Sequence, residues 1–165
     1  RGMVADCLGV LAVHKCDVLE ARVFTHADGT ALDWFVVRTM QDRSWDRIVP
    51  ALRRAYAGEV ELDDEVEKRE RQRDARPPLL AQPVPITVLT RPSGSITRLE
   101  VRGPDSPGVL YRLTRTLSEL GVSLLGARVA TLGPEVRDSF FVRGDVPDDD
   151  ALFAALVPAF ETPAA

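Results

Sequence analysis

The chain has 165 residues, 45% of them hydrophobic and 28% charged, with a formal net charge of −4, the balance of a globular chain of one or two small domains. No apolar run approaches the roughly 20 residues of a bilayer span, and no charged-then-apolar leader opens the sequence, so neither membrane insertion nor secretion is expected. Acidic side chains outnumber basic ones, 25 to 21, which argues against a nucleic-acid surface.

In chain order, Val4, Cys7, Leu8 and Leu11 recur at helical spacing. Residues 18–26 and 30–38 then read as a hairpin around Asp28-Gly29, and Trp45, Ile48, Val49, Leu52 and Tyr56 mark a second helix. Residues 59–76 run from acidic to basic, with Glu65/Arg69 and Glu67/Arg71 four apart, which predicts a solvated connector helix. Pro77, Pro78, Pro83 and Pro85 end it. Two strands, 86–90 and 96–102, flank Pro92-Ser93-Gly94. Val109, Leu110, Leu113, Leu117 and Leu120 form the next helical stripe, stopped by Gly121. A second hairpin follows, 122–131 and 136–143 around Leu132-Gly133-Pro134-Glu135, and the 148–150 aspartates cap a last helix carrying Leu152, Phe153, Leu156 and Phe160.

This order repeats. Sliding residues 1–25 onto 107–131 without a gap superposes Gly2/Gly108, Leu11/Leu117, Leu19/Leu125, Ala21/Ala127, Arg22/Arg128, Val23/Val129 and Thr25/Thr131. After one residue is dropped in the turn, Asp33, Phe35, Val37 and Arg38 fall on Asp138, Phe140, Val142 and Arg143. We read residues 1–58 as a first copy, 59–83 as a charged, Pro-rich connector and 84–165 as a second copy. If each copy is a four-stranded βαββαβ unit, its last strand should follow its second helix, yet only five residues remain after Phe160. The 86–90 strand can fill that place from upstream, because a hairpin imposes the same antiparallel pairing. The second copy is then permuted to ββαββα; the alternative is that this strand closes the first copy's sheet. By the same logic the first copy lacks the strands that would precede Arg1, leaving a small core and an open sheet edge.

No catalytic constellation emerges. His14 and His26 have no partners at metal spacing, Asp63-Asp64 lies in the charge run, and no nucleophile elbow or phosphate-binding glycine motif occurs. Cys7 and Cys16 form no CxxC pair and suit a reducing cytoplasm. The informative segment is 103–110, Gly-Pro-Asp-Ser-Pro-Gly-Val-Leu, between a strand and a helix. Pro107 and Gly108 leave the Val109 and Leu110 amides at the positive end of the helix dipole, where a ligand carboxylate would be welcome. Capping by Asp105 or Ser106 explains the same residues equally well.

Leu99-Glu100-Val101 leading into Pro104-Asp105-Ser106-Pro107-Gly108-Val109-Leu110-Tyr111, then Leu120-Gly121-Val122-Ser123-Leu124, Ala127-Arg128-Val129-Ala130-Thr131 and Asp138-Ser139-Phe140-Phe141-Val142, closely resembles an ACT domain. Together with Val18-Leu19-Glu20-Ala21-Arg22-Val23 and Asp33-Trp34-Phe35-Val36-Val37, it resembles the tandem ACT region at the C-terminus of bacterial uridylyltransferase/uridylyl-removing enzymes, which act on the PII nitrogen-signal protein. The resemblance implies an α+β fold of two ferredoxin-like sandwiches, each an antiparallel sheet with two helices on one face, the first N-terminally truncated. It implies a regulatory segment that senses an amino acid, glutamine, and controls catalytic domains upstream in cis, with no cofactor of its own; Mg2+ belongs to that family's catalytic domains. A ligand-free ACT dimerisation module is the alternative. By the matching motif the ligand site falls at Asp105, Pro107, Gly108, Val109 and Leu110, facing Ser123 and Leu124, with Gly2, Met3, Asp17 and Val18 as first-copy equivalents. Arg1 stands where the motif has Pro, and Ser123 and Asp17 stand where many ACT domains carry Asn. Because the chain starts at Arg1 rather than Met, we expect a fragment of a longer cytoplasmic protein.

Overall fold

The computed structural model describes residues 2–26, 28–39, 45–71 and 84–161. Arg1, the proline-rich 72–83 part of the connector and the tail after Glu161 lie outside the described residues. In chain order the elements are α1 (Met3–Val13), β1 (Cys16–Thr25), β2 (Ala31–Thr39), α2 (Trp45–Tyr56), α3 (Leu62–Arg71), β3 (Thr87–Ser93), β4 (Ile96–Pro104), α4 (Val109–Glu119), β5 (Ser123–Leu132), β6 (Glu135–Arg143) and α5 (Asp149–Leu156), which runs into a 3-10 turn, Val157–Phe160.

The strands form one six-stranded sheet in the order β2-β1-β5-β6-β4-β3, every neighbour antiparallel. β3 pairs with β4, from Thr87↔Arg102 to Ser93↔Ile96, and does not touch β1. The second copy is therefore permuted, and the alternative in which this strand closes the first copy's sheet is rejected. Its strand order, β5-β6-β4-β3, is that of a ferredoxin-like unit whose last strand is supplied from upstream. Asp149 at the start of α5 accepts from the Thr90 amide (3.0 Å) and hydroxyl (2.6 Å), tying helix to strand.

The copies join through equivalent strands. β1 and β5 pair from Glu20↔Ala130 to Phe24↔Gly126, and at the centre Arg22 faces Arg128, its own counterpart in the repeat. A half-turn about that point exchanges the copies, the self-complementary geometry of a twofold dimer built within one chain. The backbone echoes the repeat: Gly2 and Gly108 precede α1 and α4 with φ of 90° and 74°, and Lys15 and Gly121 follow them with φ of 62° and 75°.

Side chains alternate across the sheet. On β6, Val136, Asp138, Phe140 and Val142 are buried under the helices, whereas Arg91, Arg98, Glu100, Arg102 and Arg137 engage in ion pairs on the other face. The second copy's core centres on Leu99, Leu113, Phe140, Val142, Leu152 and Leu156, all fully buried. Asp148 caps α5 as expected, accepting from the Ala151 amide at 2.9 Å. Phe153 and Leu120, placed in helical stripes by sequence, are instead exposed.

The first copy departs most from expectation. Its core is not small: Ala5, Cys7, Leu8, Val10, Leu11, Cys16 and Ile48 are buried together with Leu62 and Val66 of α3 and Tyr111 of α4. The connector helix is thus not solvated all round; Leu62, Val66 and Glu70, one turn apart, face α1 and α4. Apolar nearly all round, α1 is enclosed by helices on several sides, which is where such a helix is stable. Gly9 permits a close approach to α4, since a Cβ there would lie 2.9 Å from the Tyr111 ring.

Candidate functional site

The loop from Asp105 to Gly108 enters α4 through a left-handed Gly108, with no side chain capping the helix. The alternative, a cap by the Asp105 or Ser106 side chain, does not occur. The Ser106 carbonyl accepts from the Val109 amide at 3.1 Å, and the Asp105 amide donates to the Pro134 carbonyl at 2.8 Å. Ser106 Oγ accepts from Arg112 (3.0 Å), which also donates to the carbonyls of Pro107 (3.2 Å) and Ala159 (2.7 Å) and pairs with Glu70 of α3. Glu70 is 7% exposed, and burial, outweighing the neighbouring guanidinium, holds its carboxyl above the usual range. A Cβ on Gly108 would stand 2.7 Å from Val66 Cγ1. The loop is therefore shaped on one side by its own arginine and covered on the other by α3.

Beneath the loop is a cavity of about 420 Å³, within the range of small-molecule sites. Asp105, Pro107, Gly108, Val109 and Leu110 line it, and so do Asp17 and Val18 from the first copy. Ser123, Leu124, Gly2 and Met3 do not. The expectation that Ser123 and Leu124 face the loop is corrected by topology. A helix joined by a short turn to the next strand lies antiparallel to it, so the loop before α4 sits over the far end of β5, where Val129 and Thr131 line the cavity. Antiparallel pairing of β1 with β5 brings the start of β1, not the start of β5, to that end. The site is crossed between copies. Gly2, Met3, Ser123 and Leu124 fall at the counterpart position related by the half-turn.

Among the charged lining residues, the sequence did not point to Lys15, Arg38, Arg69 or Asp138. Lys15 and Arg69 gave no signal beyond charge. Asp138 did: it interrupts the buried alternation Val136, Phe140, Val142, and it matches Asp33 in the repeat. Both aspartates take a β-strand amide, Asp138 that of Ala130 at 3.4 Å and Asp33 that of Phe24, and both keep one buried oxygen without a partner. Burial, helped by the nearby Asp105 charge, raises the Asp138 carboxyl to about 7. Asp17 is held by Arg38 at 3.0 Å. The thiols are inert in kind: burial pushes Cys7 up to about 11, and Cys16 is raised likewise. Among the described residues, no group of three His, Cys, Asp or Glu side chains is placed to hold a metal, and no helix is long and apolar enough to cross a membrane.

Residues 97–158, from β4 through α5, match the model of the ACT domain family. The chain is similar to bifunctional uridylyltransferase/uridylyl-removing enzymes of Rhodospirillum rubrum (30% identity over 148 residues, 86% of this chain and 16% of the relative), Bradyrhizobium diazoefficiens (33% over 140 residues, 81% and 15%) and Azospirillum brasilense (29% over 150 residues, 87% and 16%). It thus spans about one sixth of the length of these relatives. Residues 97–158 are thus an ACT domain by family match, and over most of its length the chain is similar to bifunctional uridylyltransferase/uridylyl-removing enzymes.

Proposed function

We propose that this chain is the amino-acid-sensing ACT module of a bifunctional uridylyltransferase/uridylyl-removing enzyme that modifies the PII protein in the cytoplasm, and that its ligand is glutamine. The observation that carries the reading is the crossed cavity, in which the Asp105–Leu110 loop of one copy faces Asp17 and Val18 of the other. A ligand there touches both copies at once. It biases their arrangement by the difference in its affinity for each arrangement, and a catalytic part in cis responds to that bias. The segment supplies the switch and uses no cofactor of its own.

Calorimetric titration of the chain with glutamine tests the reading. Saturable heat at up to millimolar glutamine, with none for glutamate at the same concentration, is the expected outcome. The absence of heat, with the same silence from a chain extended on its N-terminal side, overturns the sensor role in favour of an ACT module that only holds domains together.

A further inference from the structure

We infer that Arg69 of the connector helix and Asp138 of β6 are the two charge-reading residues of the crossed cavity, Arg69 for the carboxylate of an α-amino acid and Asp138 for its ammonium. The inference rests on the amino-acid reading of the cavity, and adds which side chains recognise the two ends of the ligand.

Three observations carry it. Asp138 lines the cavity, is 2% exposed, and keeps its Oδ2 without a hydrogen-bond partner. A buried carboxylate oxygen left unpaired is costly, and the cost is relieved by a donor brought to it. Arg69 lines the same cavity from the opposite layer, and its buried Nε is likewise without a partner. Such a donor matches a carboxylate. The remaining charges that line it are placed differently: Asp17 and Arg38 pair with each other, and Lys15 and Asp105 are exposed. One unsatisfied acceptor and one unsatisfied donor therefore meet a single space, the complement of a zwitterion.

Neither atom is open to water in this state. A ligand reaches them as α3 and the loop ease apart, so binding is coupled to the seat of α3. Val66 and Glu70 pack on Gly108, one turn and one residue from Arg69. Helix α3 is then a wall of the site, and its position reports occupancy.

The test is titration of the whole chain with glutamine, N-acetylglutamine and glutamine methyl ester, repeated with R69M and D138N. Loss of one charge-assisted contact should weaken binding by about tenfold or more. On the wild-type chain both blocked ligands should bind that much more weakly than glutamine. R69M should lose glutamine affinity without weakening the methyl ester further, and D138N should lose it without weakening N-acetylglutamine further. Circular dichroism and melting establish that each variant folds; where one does not, the blocked ligands on the wild-type chain decide. Glutamine binding to R69M and D138N at wild-type strength, or equal binding of the blocked ligands, overturns the inference and leaves the sensor reading standing. If glutamine does not bind, the other protein amino acids are titrated: one that binds with the same pattern supports the inference and displaces glutamine, and binding of none, to this chain or to the one extended on its N-terminal side, overturns both.

Discussion

At the scale of single residues, the fold stores its constraints where two surfaces approach most closely. Gly9 sits mid-helix, where alanine is intrinsically better by about 1 kcal/mol. Its missing Cβ is what admits the Tyr111 ring, whose hydroxyl donates to Asp63 at 2.5 Å. Overpacking should win: G9A should lower stability by about 1–3 kcal/mol in urea denaturation, despite its helix propensity. Lys15 is the reverse case. It holds the left-handed conformation that its counterpart Gly121 adopts freely, so K15G should raise stability by about 1 kcal/mol, read from the same denaturation midpoint. Asp138 contributes one component of the pH dependence. Its folded carboxyl titrates at about 7 against 3.8 for the free group, so the folded state holds a proton that the unfolded state has released. Its contribution to stability is complete below the unfolded value and is lost as pH rises towards 7. Melting temperature should fall across that interval, and D138N should remove that component; an unchanged profile in D138N would refute the assignment.

At the scale of elements, α3 carries the lesson about what sequence conveys. Its composition announces a solvated helix, and the Glu67–Arg71 pair is indeed on the surface. Only Leu62 and Val66, four apart, hint at a buried face, and Glu70 completes that stripe because Arg112 meets it from α4. A charged residue continuing an apolar row is legible as buried only when its partner is known, and the partner lies 42 residues away. R112A should leave the Glu70 carboxylate uncompensated and release the Ser106–Pro107 loop, costing about 3–5 kcal/mol. The permuted topology, by contrast, was readable. A hairpin and a final strand impose the same antiparallel neighbour, so the sequence offered the permutation beside one alternative, and the pairing of β3 with β4 decided for it. The Pro107-Gly108 chemistry marked the candidate loop but fitted a cap as well as a ligand, and the resemblance to the ACT family chose between them. The choice of Ser123 and Leu124 as its opposite wall failed, because intra-copy reasoning cannot see which strand end the neighbouring copy delivers.

At the scale of the whole molecule, the two copies behave as a twofold dimer fused into one sheet. The half-turn passes between Arg22 and Arg128, two exposed like charges set opposite each other. Arg22 is otherwise engaged with Glu20 at 3.0 Å and with the Trp34 ring at 5.4 Å; like charges opposed across strands still oppose pairing. R128E should stabilise the chain by up to about 1 kcal/mol, and by less in high salt. No gain at low ionic strength would show that this strand pair contributes nothing electrostatically. The sequence by itself determined the repeat and the element order and marked the candidate loop, since each follows from local periodicity, turn chemistry and residue identity, and it left two places open for β3 until the pairing with β4 decided between them. Tertiary structure alone decided that the site is shared between copies, that α3 covers it, and that Arg69 and Asp138 face one space. Those facts depend on which strand ends and helix faces the antiparallel joining of β1 and β5 brings together, and no local pattern encodes that meeting.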